Sequence, residues 1–141
     1  MKLLQAILFV WVIGLSGCAS QTSQPVLYDR LGGDAGVTAI VDNLLQKMAR
    51  DETIARHFRD TDISLFRQGL IDKLCVVSEG PCEYTGDTMR NSHKGFNISG
   101  AEFDALVQHL IHAMQEENTP IAARNALLGR LAPMYSDVVY Q

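Results

Sequence analysis

Apolar residues recur at helical spacing along nearly all of the chain past residue 26, a period that leaves room for little besides helices. Val37, Ile40, Val41, Leu44, Leu45 and Met48 fall at i, +3, +4, +7, +8 and +11, one continuous stripe on a helix over 34–50, with Asp34 as its expected N-cap. A second stripe over 64–77 carries Leu65, Phe66, Leu70, Leu74 and Val77. Ser99-Gly100-Ala101-Glu102 has the form of a capping box, and behind it Phe103, Leu106, Val107, Leu110, Ile111 and Met114 share a face. Thr119-Pro120 reads as an N-cap followed by proline at the first helical position. The helix it opens carries Ile121, Leu127, Leu128 and Leu131, and Pro133 ends or kinks it. Val76-Val77 is the lone β-like run and is too short for a sheet. The expected class is all-α, with four main helices and short turns.

The stretch from Ser78 to Asn97 breaks this pattern. It has about twenty residues with little helical period, and compact domains seldom carry such a loop without a functional reason. His93 stands inside it, alone by spacing. His109 and His112 lie three apart on one helix but have no acidic or cysteine partner at zinc-like spacing, so a solvated face is the favoured reading. His57 precedes Phe58 at the end of a polar turn. No Ser/His/Asp set, phosphate-binding glycine loop or carboxylate pair emerges. Cys75 and Cys82 leave two readings open, a bridge around Gly80-Pro81 or free thiols. A bridge requires the helix to end before Gly80, because seven residues of unbroken helix hold the two Cα atoms too far apart.

The N-terminal end has a different character. Leu3 to Leu15 is an apolar stretch of 13 residues behind Lys2, whereas a spanning helix needs roughly 20, so a signal-peptide core is expected. It ends in Leu15-Ser16-Gly17-Cys18, which resembles a bacterial lipobox: small side chains before the cut, then the thiol that accepts the lipid. The expected division is a leader over 1–17, a lipidated tether over 18–25 and one domain over 26–141. The alternative is an ordinary cleaved signal with an incidental cysteine. No Asp follows Cys18, so the expected location is the periplasmic side of the envelope, anchored to a membrane through Cys18, the outer membrane favoured over the inner. Disulfides persist there. Cleavage before Cys18 leaves 124 residues and changes the net charge from −4 to −5. That acidic balance argues against an electrostatic nucleic-acid partner.

Several motifs together resemble one family. Tyr28-Asp29-Arg30-Leu31-Gly32-Gly33 is similar to the opening of group 1 truncated hemoglobins, where a di-glycine ends a shortened first helix. Tyr84-Thr85-Gly86, then Met89-Arg90 with His93 and Gly95, resembles the stretch that leads to the family's proximal histidine. Phe103 with the helix after it, Leu131-Ala132-Pro133-Met134 and Asp137-Val138-Val139 resemble the later elements, so the likeness spans about residues 26–139. It implies a truncated globin, a two-over-two helical sandwich around heme b, with iron ligated by a neutral imidazole nitrogen of His93. It also implies that Phe58 stacks on the porphyrin and that Met89 and Phe96, on either side of His93, contact it. Arg90 and Lys94 flank the histidine, and each has two readings, a partner for a heme carboxylate or a solvated side chain.

The distal side departs from the family. Group 1 proteins commonly place a tyrosine where this chain has Leu45, a glutamine where it has Phe66, and Leu70 follows one turn on. The implied distal pocket is therefore apolar and lacks a hydrogen-bond donor. A one-residue slip would bring in Arg67, whereas Gln68 faces away. Gly69 removes a site where relatives often carry a basic residue. The expected function is reversible binding of a diatomic gas (O2, NO or CO), as in oxygen transport, scavenging or sensing, at a five-coordinate heme unless His57 swings in. The runner-up is a heme enzyme at the same site, an NO dioxygenase or peroxidase-like protein served by a reductase. A third reading is a structural lipoprotein that keeps the shape without heme.

Overall fold

The computed structural model describes residues 24–141. The leader, the lipobox at Leu15–Cys18 and the tether up to Ser23 lie outside the described residues. The elements are α1 (Leu27–Arg30), α2 (Gly33–Arg50), α3 (Glu52–Ala55), a 3-10 turn (Arg56–Phe58), α4 (Ile63–Val77), α5 (Met89–His93), α6 (Gly100–Glu116), α7 (Ile121–Leu131), a second 3-10 turn (Ala132–Met134) and α8 (Tyr135–Val138). The four helices read from periodicity are α2, α4, α6 and α7. Among the described residues the one β feature is an isolated parallel bridge between Ile98 and Val139.

Helix α2 is the hub, packing on α6 along one flank and on α4 along another, while α7 packs against α1 and α4. Its stripe does this work: Val37, Ile40 and Val41 are buried, with Leu44 and Met48 close behind. Met114 from α6, Leu127 from α7 and Cys75 from α4 meet them in the core. Truncating any of these large apolar side chains would cost about 2–5 kcal/mol. No helix among the described residues is long and apolar enough to cross a membrane.

Helix starts correct the expectations at two places. Asp34 is not the N-cap of α2; Gly32 is, at φ 98° with Gly33 at φ 62°. Two consecutive left-handed residues turn the chain out of α1, and only glycine takes that conformation without strain. Asp34 instead lies in the first turn, where its charge favours the helix dipole. Thr119 is not the cap of α7 either: Pro120 holds that place and makes no side-chain cap bond. Helix α4 begins at Ile63 because Asp62, unremarked in the sequence, accepts from the backbone N–H groups of Ser64 and Leu65 at 2.9 and 3.1 Å.

The capping box of α6 is present as expected. Ser99 Oγ accepts from the Glu102 backbone N–H at 3.3 Å, and Glu102 Oε2 accepts from the Ser99 N–H at 2.9 Å. Glu102 Oε1 also takes Arg56 at 2.5 Å and His57 at 2.9 Å, joining the first 3-10 turn to α6. The Ser99 backbone bond first, then His57, the Ser99 hydroxyl and Arg56, hold the Glu102 carboxyl far below the usual carboxylate range. A depressed folded pKa means stability present above the unfolded carboxylate value and lost as pH falls. Glu102→Gln keeps an acceptor for the Ser99 N–H but loses the charge that Arg56 and His57 meet, and is expected to lower the melting temperature by about 3–6 °C at neutral pH, about 1 kcal/mol of charge-assisted bonding. Thermal melts followed by circular dichroism should show that gap narrowing as pH falls from about 5 to about 3.

The helix α4 ends at Val77, before Gly80, as a bridge requires. Cys75 and Cys82 stand at disulfide distance, with Cα atoms 6.0 Å apart.

Candidate functional site

The segment between α4 and α6 is not wholly irregular. Thr88 caps a five-residue helix by accepting from the Asn91 N–H at 3.2 Å, and that helix, α5, ends at His93. Five residues are too few to show a period in sequence, although the threonine cap was a legible signal. Within α5, His93 Nδ1 lies 2.7 Å from the carbonyl oxygen of Met89. A carbonyl only accepts, so Nδ1 carries the proton, and the tautomer this selects has its lone pair on Nε2. The half-buried imidazole is thus prepared as a metal ligand whose ring orientation is fixed by its other nitrogen.

The C-terminal segment pins the loop beyond His93. The Gly95 and Asn97 N–H groups donate to the Gln141 carbonyl at 3.1 and 3.2 Å, and the Tyr140 N–H donates to the Ile98 carbonyl at 2.9 Å. Gly95 turns the chain at φ 88°, a conformation that favours glycine. Arg90, read from sequence as a candidate for a heme carboxylate, is already engaged. It donates to Gln141 Oε1 at 2.6 Å and pairs with Asp137 Oδ1 at 2.8 Å. Lys94 is exposed. Asp137 and Gln141 are positioning residues for the His93 loop that the sequence did not disclose, because they lie 47 and 51 residues from Arg90.

A chain of ring contacts connects this loop to the opposite side. Phe96 lies 6.1 Å from the His57 ring, and the Phe58 ring lies 4.8 Å from Phe66 at 53°. Phe96 is 44% exposed, so it sits at a rim rather than inside a wall. Met89 is half-buried on α5. Leu45, Phe58, Phe66 and Leu70 are likewise only half-buried, and they pack against the edge of the core together with Leu106. Half-buried hydrocarbon and aromatic side chains of this kind suit contact with a flat apolar group. With the Nε2 donor of His93, the residues fit heme: an imidazole for iron and hydrocarbon for the porphyrin. His57 is held by Glu102 rather than directed at this region alone.

The register on α4 is set by its polar neighbours. Arg67 forms a two-pronged pair with Asp42 of α2, Nε to Oδ1 at 2.5 Å and a terminal nitrogen to Oδ2 at 2.9 Å. That pair holds the Asp42 carboxyl below its ordinary value, chiefly through the Arg67 hydrogen bond. Gln68 is exposed and donates to Asp72 at 2.9 Å. Arg67, the residue that a one-residue slip would bring to the place of Phe66, is thus engaged by Asp42. Leu45, Phe66 and Leu70 bear no side-chain N–H or O–H.

The remaining histidines lie elsewhere. His112 is exposed, but His109 is not part of a solvated face. Its Nε2 lies 2.8 Å from Asp51 Oδ2, the N-cap of α3, 58 residues away in sequence. Thr53, then His109, hold the Asp51 carboxyl down to about 2. Lys47, Arg50, Glu52 and His112 complete the open surface cleft around this pair. Among the described residues no three His, Cys, Asp or Glu side chains gather as a metal site.

Comparison with known proteins bears on the family and the fold. The family described as bacterial-like globin matches residues 26–140. A group 1 truncated hemoglobin from Nostoc sp. (strain MUN 8820) is 34% identical over 108 residues, 77% of this chain and 92% of that protein. The Fe(III) form of the truncated hemoglobin from Tetrahymena pyriformis superposes with a TM-score of 0.80 at 26% identity, covering 83% of this chain and all of that one. The 2/2 hemoglobin from Synechococcus sp. PCC 7002, solved in the cyanomet state with covalently attached heme, gives 0.76 at 26% identity, over 82% of this chain and 98% of that one.

Proposed function

The chain belongs to the bacterial-like globin family and has the truncated-globin fold, and from that premise we propose that it binds heme b through Nε2 of His93 and reversibly takes up a diatomic gas. The observation that carries the reading is the bond from His93 Nδ1 to the Met89 carbonyl at 2.7 Å, which leaves Nε2 as the ligating nitrogen. Heme supplies an iron centre with a coordination position open to a gas. The protein supplies the axial imidazole, the apolar walls from Leu45, Phe58, Phe66 and Leu70, and exclusion of water. The pairing of Arg67 with Asp42 supports a distal side without a donor. Leu45, Phe66 and Leu70 also offer no acid or base, which favours gas binding over NO dioxygenation or peroxidase-like turnover.

The proposed setting is the periplasmic face of a membrane, with the lipid on Cys18 as anchor. The Cys75–Cys82 pair, at a Cα separation of 6.0 Å, supports a bridge in such an oxidising compartment. The direct test is a pyridine hemochrome assay on the purified holoprotein. One equivalent of b-type heme per folded chain is expected, and a folded chain that retains no pigment after incubation with heme would refute the reading.

A further inference from the structure

Heme is an apolar disc with two carboxylates on one edge, so a protein that buries the disc has that edge at the rim of the site. The cations on the elements around the site are few, and most are already matched. Arg56 on the first 3-10 turn pairs with Glu102 at 2.5 Å. Arg67 on α4 is two-pronged on Asp42. Arg90 on α5 is held by Asp137 at 2.8 Å and by Gln141 at 2.6 Å. Lys73 lies 4.4 Å over the Tyr84 ring. Gly69 presents no side chain, with nothing within 4 Å of where a Cβ would stand. Instead the rim exposes hydrocarbon: Phe96 is 44% exposed and Leu65, beside Phe66, is 73% exposed.

A heme carboxylate that reached Arg56, Arg67 or Arg90 would share the guanidinium with the protein oxygens that already hold it. At these exposed or half-exposed positions the added attraction is small. Arg59 and Lys94 are the exposed cations of this region with no ion-pair partner among the described residues, and an exposed, flexible cation contributes little.

Building on the heme-binding reading above, we infer that this site recognises heme by its apolar body and its iron, leaves both carboxylates to solvent, and so releases heme readily to an acceptor that clamps them. Heme is then an exchangeable cargo of the chain as well as its cofactor. The carboxylate edge is not a specificity determinant, and hemes with a masked edge are accepted.

The test uses the full-length holoprotein and its Arg59→Ala/Lys94→Ala variant, both exposed positions outside the apolar walls. Heme transfer to excess apomyoglobin is followed by the Soret change at about 20 and about 500 mM salt. The expected result is a rate that changes less than about twofold with salt or with the substitution. In parallel, heme and its dimethyl ester are titrated into the heme-free protein, with affinities expected within about threefold. A charge-assisted clamp on a carboxylate would show as a difference of about tenfold or more. A tenfold loss for the ester, or a tenfold faster transfer by the variant or at high salt, overturns the inference while leaving heme binding intact. Absence of a Soret shift with either porphyrin would instead sink the heme-binding reading itself.

Discussion

His93→Ala is expected to fold normally and to lose its heme. The imidazole makes one side-chain bond, from Nδ1 to the Met89 carbonyl one turn back at 2.7 Å, and the ring is only half-buried. Its removal leaves α5 capped by Thr88 and the loop beyond pinned by Gln141. Helical circular dichroism should therefore match the parent. Removing a residue that orients a metal ligand typically costs about 10–100-fold in affinity, and removing the ligand itself should cost more. The Soret band of the purified variant should be absent or reduced to that of nonspecifically bound heme. His93→Gly supplemented with free imidazole should regain the parental spectrum, because the cavity left by the side chain admits the ligand it lost. A variant that keeps the parental spectrum without imidazole would assign the ligand elsewhere.

Leu45→Tyr is expected to slow O2 release by about ten- to a hundredfold. A diatomic ligand that draws negative charge on binding gains about 1.5–3 kcal/mol from a hydrogen-bond donor, and each 1.36 kcal/mol is a factor of ten. The parent has no such donor at Leu45, Phe66 or Leu70, and Arg67 is committed to Asp42. Tyrosine at position 45 remains on the half-buried edge of α2 and brings a hydroxyl there. CO is less polarised, so its release should change much less. Stopped-flow displacement of O2 by CO measures the difference. Slow O2 release by the parent itself would mean that a donor reaches the pocket.

The fold was legible because helix packing imposes a period on sequence, as the stripe from Val37 to Met48 shows. Cap identity was legible only where a side chain makes the cap. Ser99 and Glu102 announce themselves, and the Asp62 cap is of the same kind. Gly32 caps α2 through a left-handed backbone, a signal that the acidic Asp34 two positions later obscured. His93 itself was isolated by composition and spacing, and its singling out rested on the motifs around it. Its tautomer is set by a carbonyl in α5, a helix too short to show a period in the sequence. The clamp on its loop was hidden for a different reason. Arg90 meets Asp137 and Gln141, and His109 meets Asp51, across 47, 51 and 58 residues. No local pattern encodes such pairs; only the packed helices bring them together. The consequence for function is specific: Arg90, the nearest arginine to His93, is a structural tie.

The central claim is a heme held by His93 alone on the protein side, facing a distal pocket of Leu45, Phe66 and Leu70. The absorption spectrum of the dithionite-reduced protein under argon tests it most directly. A single broad visible band, characteristic of five-coordinate ferrous heme, is the predicted result, with a sharp Soret shift on addition of CO. Two resolved visible bands before any gas is added would show a second protein ligand on the iron and contradict the account.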